Sequence, residues 1–176
     1  MDKKLKNKDI SVHFYSTNQV DLSTATAVFT FENDSTKKYY IADITTKDFI
    51  KRFILIVSIG EAEGENIVLG NEILTILLDS FIVQIDINNN QMVKCKETDS
   101  FGSAFTMKKY KNDFIVHYEC AIVRYDENLN EIWSFGGADI FANVNGKVPF
   151  VMAKDRIKLY DFEDNYYEID YDGKII

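Results

Sequence analysis

Apolar residues along this chain fall in short runs broken by polar pairs and clusters, and three such runs close on the same residue. FIVQID, AIVRYD and RIKLYD end at Asp86, Asp126 and Asp161, and KYYIAD ends likewise at Asp43. The four aspartates are 43, 40 and 35 residues apart. Other positions keep step with them. Tyr39, Ile82, Ile122 and Ile157 lie four residues before, and Phe49, Met92, Ile132 and Tyr167 lie six after. Ten before the last three stand Ile76, Val116 and Val151, inside LTILL, FIVHY and PFVMA. The breaks DS, EC and KD that follow those runs have the length of two-residue hairpins. The pattern predicts a repeated unit of strand, tight turn, strand, Asx-rich turn, strand.

A further strand is expected at the head of each unit, in SVHFY, NIVLG, AFTMKKY and IFANV, while VFTF and the polar loop ENDSTKK belong to the first unit. The middle strands carry apolar residues on both sides of the chain, so they are expected to be covered on both faces. Units of about forty residues with this strand content resemble degenerate β-propeller repeats, particularly the quinoprotein-like kind, and YDENLNEIW around Trp133 is the best local match. The resemblance implies an all-β fold of antiparallel repeats, a small, about four-bladed or incomplete propeller. A twisted β-sandwich is the alternative. So is an α+β fold with a helix near 46–57, because Phe49, Ile50, Phe53, Ile54 and Val57 mark one helical face. The β-branched Ile54, Ile56 and Val57 favour strand there. The reading is one β-repeat domain over 1–176, with residues 1–10 a polar, flexible tail.

The aspartate turns invite a metal reading, since Asp126, Asn128 and Asn130 have the one-three-five spacing of a calcium loop. Such a loop needs a glycine at its bend and a late bidentate carboxylate. The bend positions hold Gln91, Glu131 and Tyr166 instead, and the twelfth positions hold Glu97, Gly137 and Asp172. The turn reading is preferred, because Asp and Asn side chains bond nearby backbone. No metal and no cofactor is expected. Cys95 and Cys120 form no CxxC pair. His117 lies three residues before Cys120, a spacing that favours a structural pair over a nucleophile. IGEAEGEN puts Glu61, Glu63 and Glu65 where a phosphate cradle needs positive potential, and reads as an exposed loop. No catalytic constellation emerges, so a non-enzymatic protein is expected.

Charge narrows the partners. The chain carries a net charge of −8, which disfavours direct binding to nucleic acid or anionic membrane and attracts basic proteins. No apolar run reaches spanning length and no signal segment follows the basic N-terminus, so a cytoplasmic protein is expected. Tyr160 to Ile176, YDFEDNYYEIDYDGKII, interleaves six carboxylates with five aromatics. Asp161, Glu163, Asp164, Tyr166, Glu168, Asp170 and Asp172 are the expected partner-facing set. An acidic, single-domain, non-catalytic chain of this kind is similar to bacterial immunity proteins. That likeness implies an inhibitor covering the active or substrate-binding surface of a basic toxin such as a nuclease. The alternative is a small-molecule or carbohydrate-binding propeller, with Trp133 as a stacking platform.

Overall fold

The computed structural model describes residues 2–31, 37–57, 66–78, 81–142 and 145–176. The chain is all-β, with sixteen strands and no α-helix among the described residues. Contacts divide it into two compact units. The first holds the described residues up to Val57 with Ile67–Leu78 and Ile82–Cys95, and the second is chiefly Lys96–Ile176.

In the first unit β1 (Asp2–Lys6), β2 (Ser11–Thr17), β3 (Ala27–Phe31), β4 (Lys38–Thr45) and β5 (Ile50–Val57) form one sheet in the order β1-β2-β4-β5-β3. Strands β1, β2, β4 and β5 pair antiparallel in that order, whereas β3, which the chain forms between β2 and β4, lies parallel to β5 at the edge. Two expectations are corrected here. VFTF does not hairpin with KYYIAD, because SVHFY takes that place as β2. Residues 2–6 are no free tail but pair along β2 from Asp2↔Tyr15 to Lys6↔Ser11. The ambiguous segment is strand β5, with Phe53 to Val57 all buried. A strand covered on both faces gives an unbroken apolar run that imitates a helical stripe. The next sheet is β6 (Ile67–Leu69), β7 (Ile73–Leu78), β8 (Phe81–Asp86) and β9 (Gln91–Glu97), in that order. Here β7 and β8 are buried and β9 is mostly exposed.

In the second unit β10 (Ala104–Tyr110), β11 (Asp113–Tyr118), β12 (Ile122–Tyr125) and β13 (Glu131–Phe135) form a four-stranded antiparallel meander. Strands β14 (Phe150–Met152), β15 (Ile157–Tyr160) and β16 (Tyr166–Ile169) form a three-stranded one. Ile115, Ile122, Phe141, Phe150, Ile157, Leu159 and Ile169 make a common core between these sheets. IFANV is not a fourth strand over its described residues, 140–142. Phe141 is instead a buried plug whose N–H donates to the Glu119 carbonyl at 2.6 Å.

The aspartate turns are real, with one exception. Asp126 Oδ1 accepts from the N–H groups of Asn128 and Asn130, each at 2.8 Å, and Oδ2 from Asn130 Nδ2 at 2.9 Å. Asp86 accepts from the N–H of Asn88 and Asn89, and Asp161 from that of Asn165. Asp170 repeats the arrangement with Asp172 and Lys174, a copy outside the four-aspartate series. Asp43 departs from it. It lies inside β4 and holds Arg52 of β5 through Nε at 2.6 Å and Nη2 at 3.0 Å. Thr46 serves that turn, its Oγ1 accepting from the N–H of Asp48 and Phe49. The EC and KD breaks are tight turns, Tyr118 N–H donating to Ala121 O and Ala153 N–H to Arg156 O. The DS break and all but the last residue of IGEAEGEN fall outside the described residues.

Candidate functional site

The hairpin β15–β16 carries most of the expected partner-facing set, and its geometry sorts that set into three groups. Ile157 and Leu159 are buried, and Lys158 and Tyr160 alternate with them, which fixes the hairpin on the core. The turn then needs a residue in left-handed geometry, and Asp164 takes it at φ 66°.

Asp161 and Asp170 belong to the scaffold. Asp161 is 3% exposed and cannot face a partner. Besides the turn bond, its Oδ2 accepts from Asn165 Nδ2 at 3.0 Å and from the Tyr167 hydroxyl at 2.8 Å. Burial works against its ionisation, but these bonds outweigh burial and hold its pKa below the ordinary value. Read from the sequence both as a turn aspartate and as partner-facing, Asp161 keeps only the first role, because its burial is not written in the pattern.

Glu168 and Asp164 are paired within the unit. Glu168 accepts from the Tyr166 hydroxyl and from Arg156 Nη1 at 2.6 Å, and Lys158 Nζ lies 3.8 Å away. The Tyr166 bond and then Arg156 lower its pKa. Asp164 meets Lys147 at 3.2 Å and accepts from Asn145 Nδ2 at 2.9 Å. The third group, Glu163, Tyr166 and Asp172, is exposed, with Asp172 3.5 Å from Arg124 Nη1.

One exposed ring stands outside the expected partner-facing set. Phe162 is 46% exposed, as is Tyr166 at the other side of the turn. Phe162 lies in the turn rather than in a strand, so strand alternation says nothing of its direction. The hairpin tip thus presents two large rings around Glu163, with Tyr160 packed 4.9 Å from Tyr166 and Lys147 over the Tyr160 ring. Local cations balance much of the local acid, so the tip is an aromatic surface of mixed charge.

The other sequence candidates are built into the fold. Trp133 is no open platform. Its Nε1 donates to Tyr171 O at 3.0 Å, and Gly173 lies so close that a Cβ there would come within 2.8 Å of the indole. His117 is buried, its Nε2 donating to Phe141 O at 2.8 Å between the rings of Phe105 and Phe150. A carbonyl only accepts, so Nε2 carries the proton. Burial pushes the imidazole pKa down to about 4 although the carbonyl bond favours the cation. Cys120, by contrast, is exposed. Among the described residues no group of three or more His, Cys, Asp and Glu side chains is placed to hold a metal ion. Among them, too, no helix is long and apolar enough to cross a membrane.

No family model and no curated protein matches the chain. Among solved structures it is similar to the computationally designed Ika8 protein, at 12% identity and a TM-score of 0.53, over 98% of this chain and 59% of that one. It is also similar to a protein of unknown function from Bacteroides caccae, at 12% identity and a TM-score of 0.46, over 82% of this chain and 63% of that one. The chain therefore spans less than two thirds of either structure, and the first likeness bears on the fold alone.

Proposed function

We propose that this chain is a stoichiometric protein-binding module that engages a basic partner through the β15–β16 hairpin tip, in the manner of an immunity protein covering a nuclease toxin. The observation that carries the reading is the pair of exposed rings, Phe162 and Tyr166, on a turn held by Asp161. Aromatic side chains on a rigid support lose little freedom on binding and are the commonest interface anchors. The net charge of −8 adds long-range attraction to a basic surface. That field acts on the whole approach, so pairing of individual carboxylates at the tip does not cancel it. The same reading places the protein in the cytoplasm, acting without a cofactor, and takes its sheets as blade-like modules of a small or incomplete propeller. The meander order of the three later sheets supports that architecture.

The test is capture from the source organism on immobilised protein, run with the unaltered chain and with a Phe162→Ser, Tyr166→Ser variant. The expected result is a basic protein retained by the unaltered chain, about thirtyfold weaker on the variant and slower to associate as salt is raised. Equal retention by the variant, or an association rate indifferent to salt, would reject the reading.

A further inference from the structure

We infer that a groove in the first unit, distinct from the hairpin tip, binds a neutral polyhydroxylated small molecule, a saccharide of one or two rings. The groove has a volume of about 500 Å³, and four turns from two sheets of that unit line it. These are the β1–β2, β4–β5, β6–β7 and β8–β9 turns. A volume of this size falls within the roughly 300–1,000 Å³ of small-molecule sites.

The turns are held before any ligand arrives. Asn7 Oδ1 accepts from the N–H of Asp9 and Ile10, and its Nδ2 donates to Gly70 O at 2.7 Å, tying the first sheet to the second. Lys51 Nζ makes the same kind of tie, donating to Ile87 O at 2.8 Å and Asn88 O at 2.9 Å. Ile87 N–H donates in turn to Glu72 O. Two side chains thus lock four turns into one frame, the arrangement that spares a binding site its ordering cost.

The lining decides the ligand by its chemistry. Two ammonium groups, Lys8 and Lys47, stand among three carboxylates, Asp9, Asp48 and Glu72. With Lys51 Nζ held at the same turns, three ammoniums offset the three carboxylates, so the groove selects neither anions nor cations by charge. An apolar ligand finds little surface, since Ile10 is 5% exposed and Lys51 lies 4.2 Å from the Phe49 ring centre. What fits is an uncharged molecule that donates and accepts hydrogen bonds around its rim. Amides and carboxylates offer paired acceptors and donors to neighbouring hydroxyls, and Asn71 and Asn88 stand at the lining beside the acids.

The experiment is saturation-transfer NMR on the full chain with glucose, galactose, N-acetylglucosamine, maltose and cellobiose, with AMP and glutamine as contrasting probes. At least one sugar is expected to bind, with AMP and glutamine silent. Asn71→Ala with Asn88→Ala should weaken that sugar about tenfold, because the turn bonds at these residues use backbone atoms and the frame survives. The Phe162→Ser, Tyr166→Ser variant should bind it unchanged. Silence of every sugar, binding of AMP or glutamine in their place, or full affinity in the double asparagine variant would overturn the assignment.

Discussion

At the scale of single residues, left-handed backbone shows how one local conformation can carry opposite consequences. Lys111 and Leu129 share nearly the same φ, 56° and 60°, which costs an L-residue about 1 kcal/mol. Lys111 opens the two-residue β10–β11 turn, where Tyr110 faces Asp113, and its side chain is exposed. Its ammonium lies 5.1 Å from the Tyr110 ring centre. Lys111→Gly should therefore stabilise the protein by about 0.5–1 kcal/mol, read as a higher urea midpoint at unchanged slope. Leu129 is 2% exposed, so its burial offsets the same strain. Leu129→Gly should destabilise by about 1–2 kcal/mol, the buried side chain's worth less the relieved strain. If both substitutions moved the midpoint the same way, the left-handed positions would not be the seat of the effect.

At the scale of elements, legibility followed locality. The aspartate turns at Asp86, Asp126 and Asp161 could be read because an Asx side chain bonds backbone two to four residues on. Strands β7, β8, β11 and β12 could be read because contiguous burial writes a contiguous apolar run. Strand β1 could not, because DKKLK buries none of its residues and leaves only a lysine-rich edge. The parallel pairing of β3 with β5 was equally invisible, since no turn encodes it. At the candidate site, the exposure of Tyr166 and Glu163 was legible and that of Phe162 was not, because turn geometry and not alternation exposes it. The Asp170–Lys174 turn carries a local signal in its Asp172-Gly173 pair, but its packing is not written locally. Tyr171 stacks on Tyr110 at 3.9 Å, its carbonyl accepts from Arg124 Nη1 and Trp133 Nε1, and its hydroxyl donates to Ala153 O. Gly173 has φ 79° and no room for a Cβ against Trp133. Gly173→Ala should cost about 2–4 kcal/mol, combining left-handed strain with overpacking. Trp133, the chain's one tryptophan, reports the change as shifted native fluorescence. An unshifted spectrum and midpoint would mean that this turn is not seated on the indole.

Acid stability belongs to the whole molecule, and two sets of groups divide it by pH. The carboxylates come last. Asp86 is held below its ordinary pKa by the Asn89 N–H in the first place, against some burial, and Asp161 and Glu168 are lowered as described. A depressed carboxylate contributes stability above its unfolded pKa and loses it only as pH falls toward the folded one. Their effect is therefore confined to acid below the normal carboxylate range. His117 acts earlier. Its unfolded pKa is 6.5 and its folded value about 4, so between these the unfolded chain binds one more proton than the folded one. Stability should be full above about pH 6.5 and fall with a slope of about 1.4 kcal/mol per unit as pH drops to 4, a total on the order of 3 kcal/mol. Glutamine at this position keeps an N–H for the Phe141 carbonyl and has no proton to gain. His117→Gln should flatten the curve between pH 4 and 6.5, whatever its effect on absolute stability, and leave the carboxylate-driven loss below. Urea midpoints measured across that range decide the matter. A slope that survives the substitution would move the acid sensitivity away from the core of the second unit and onto its surface.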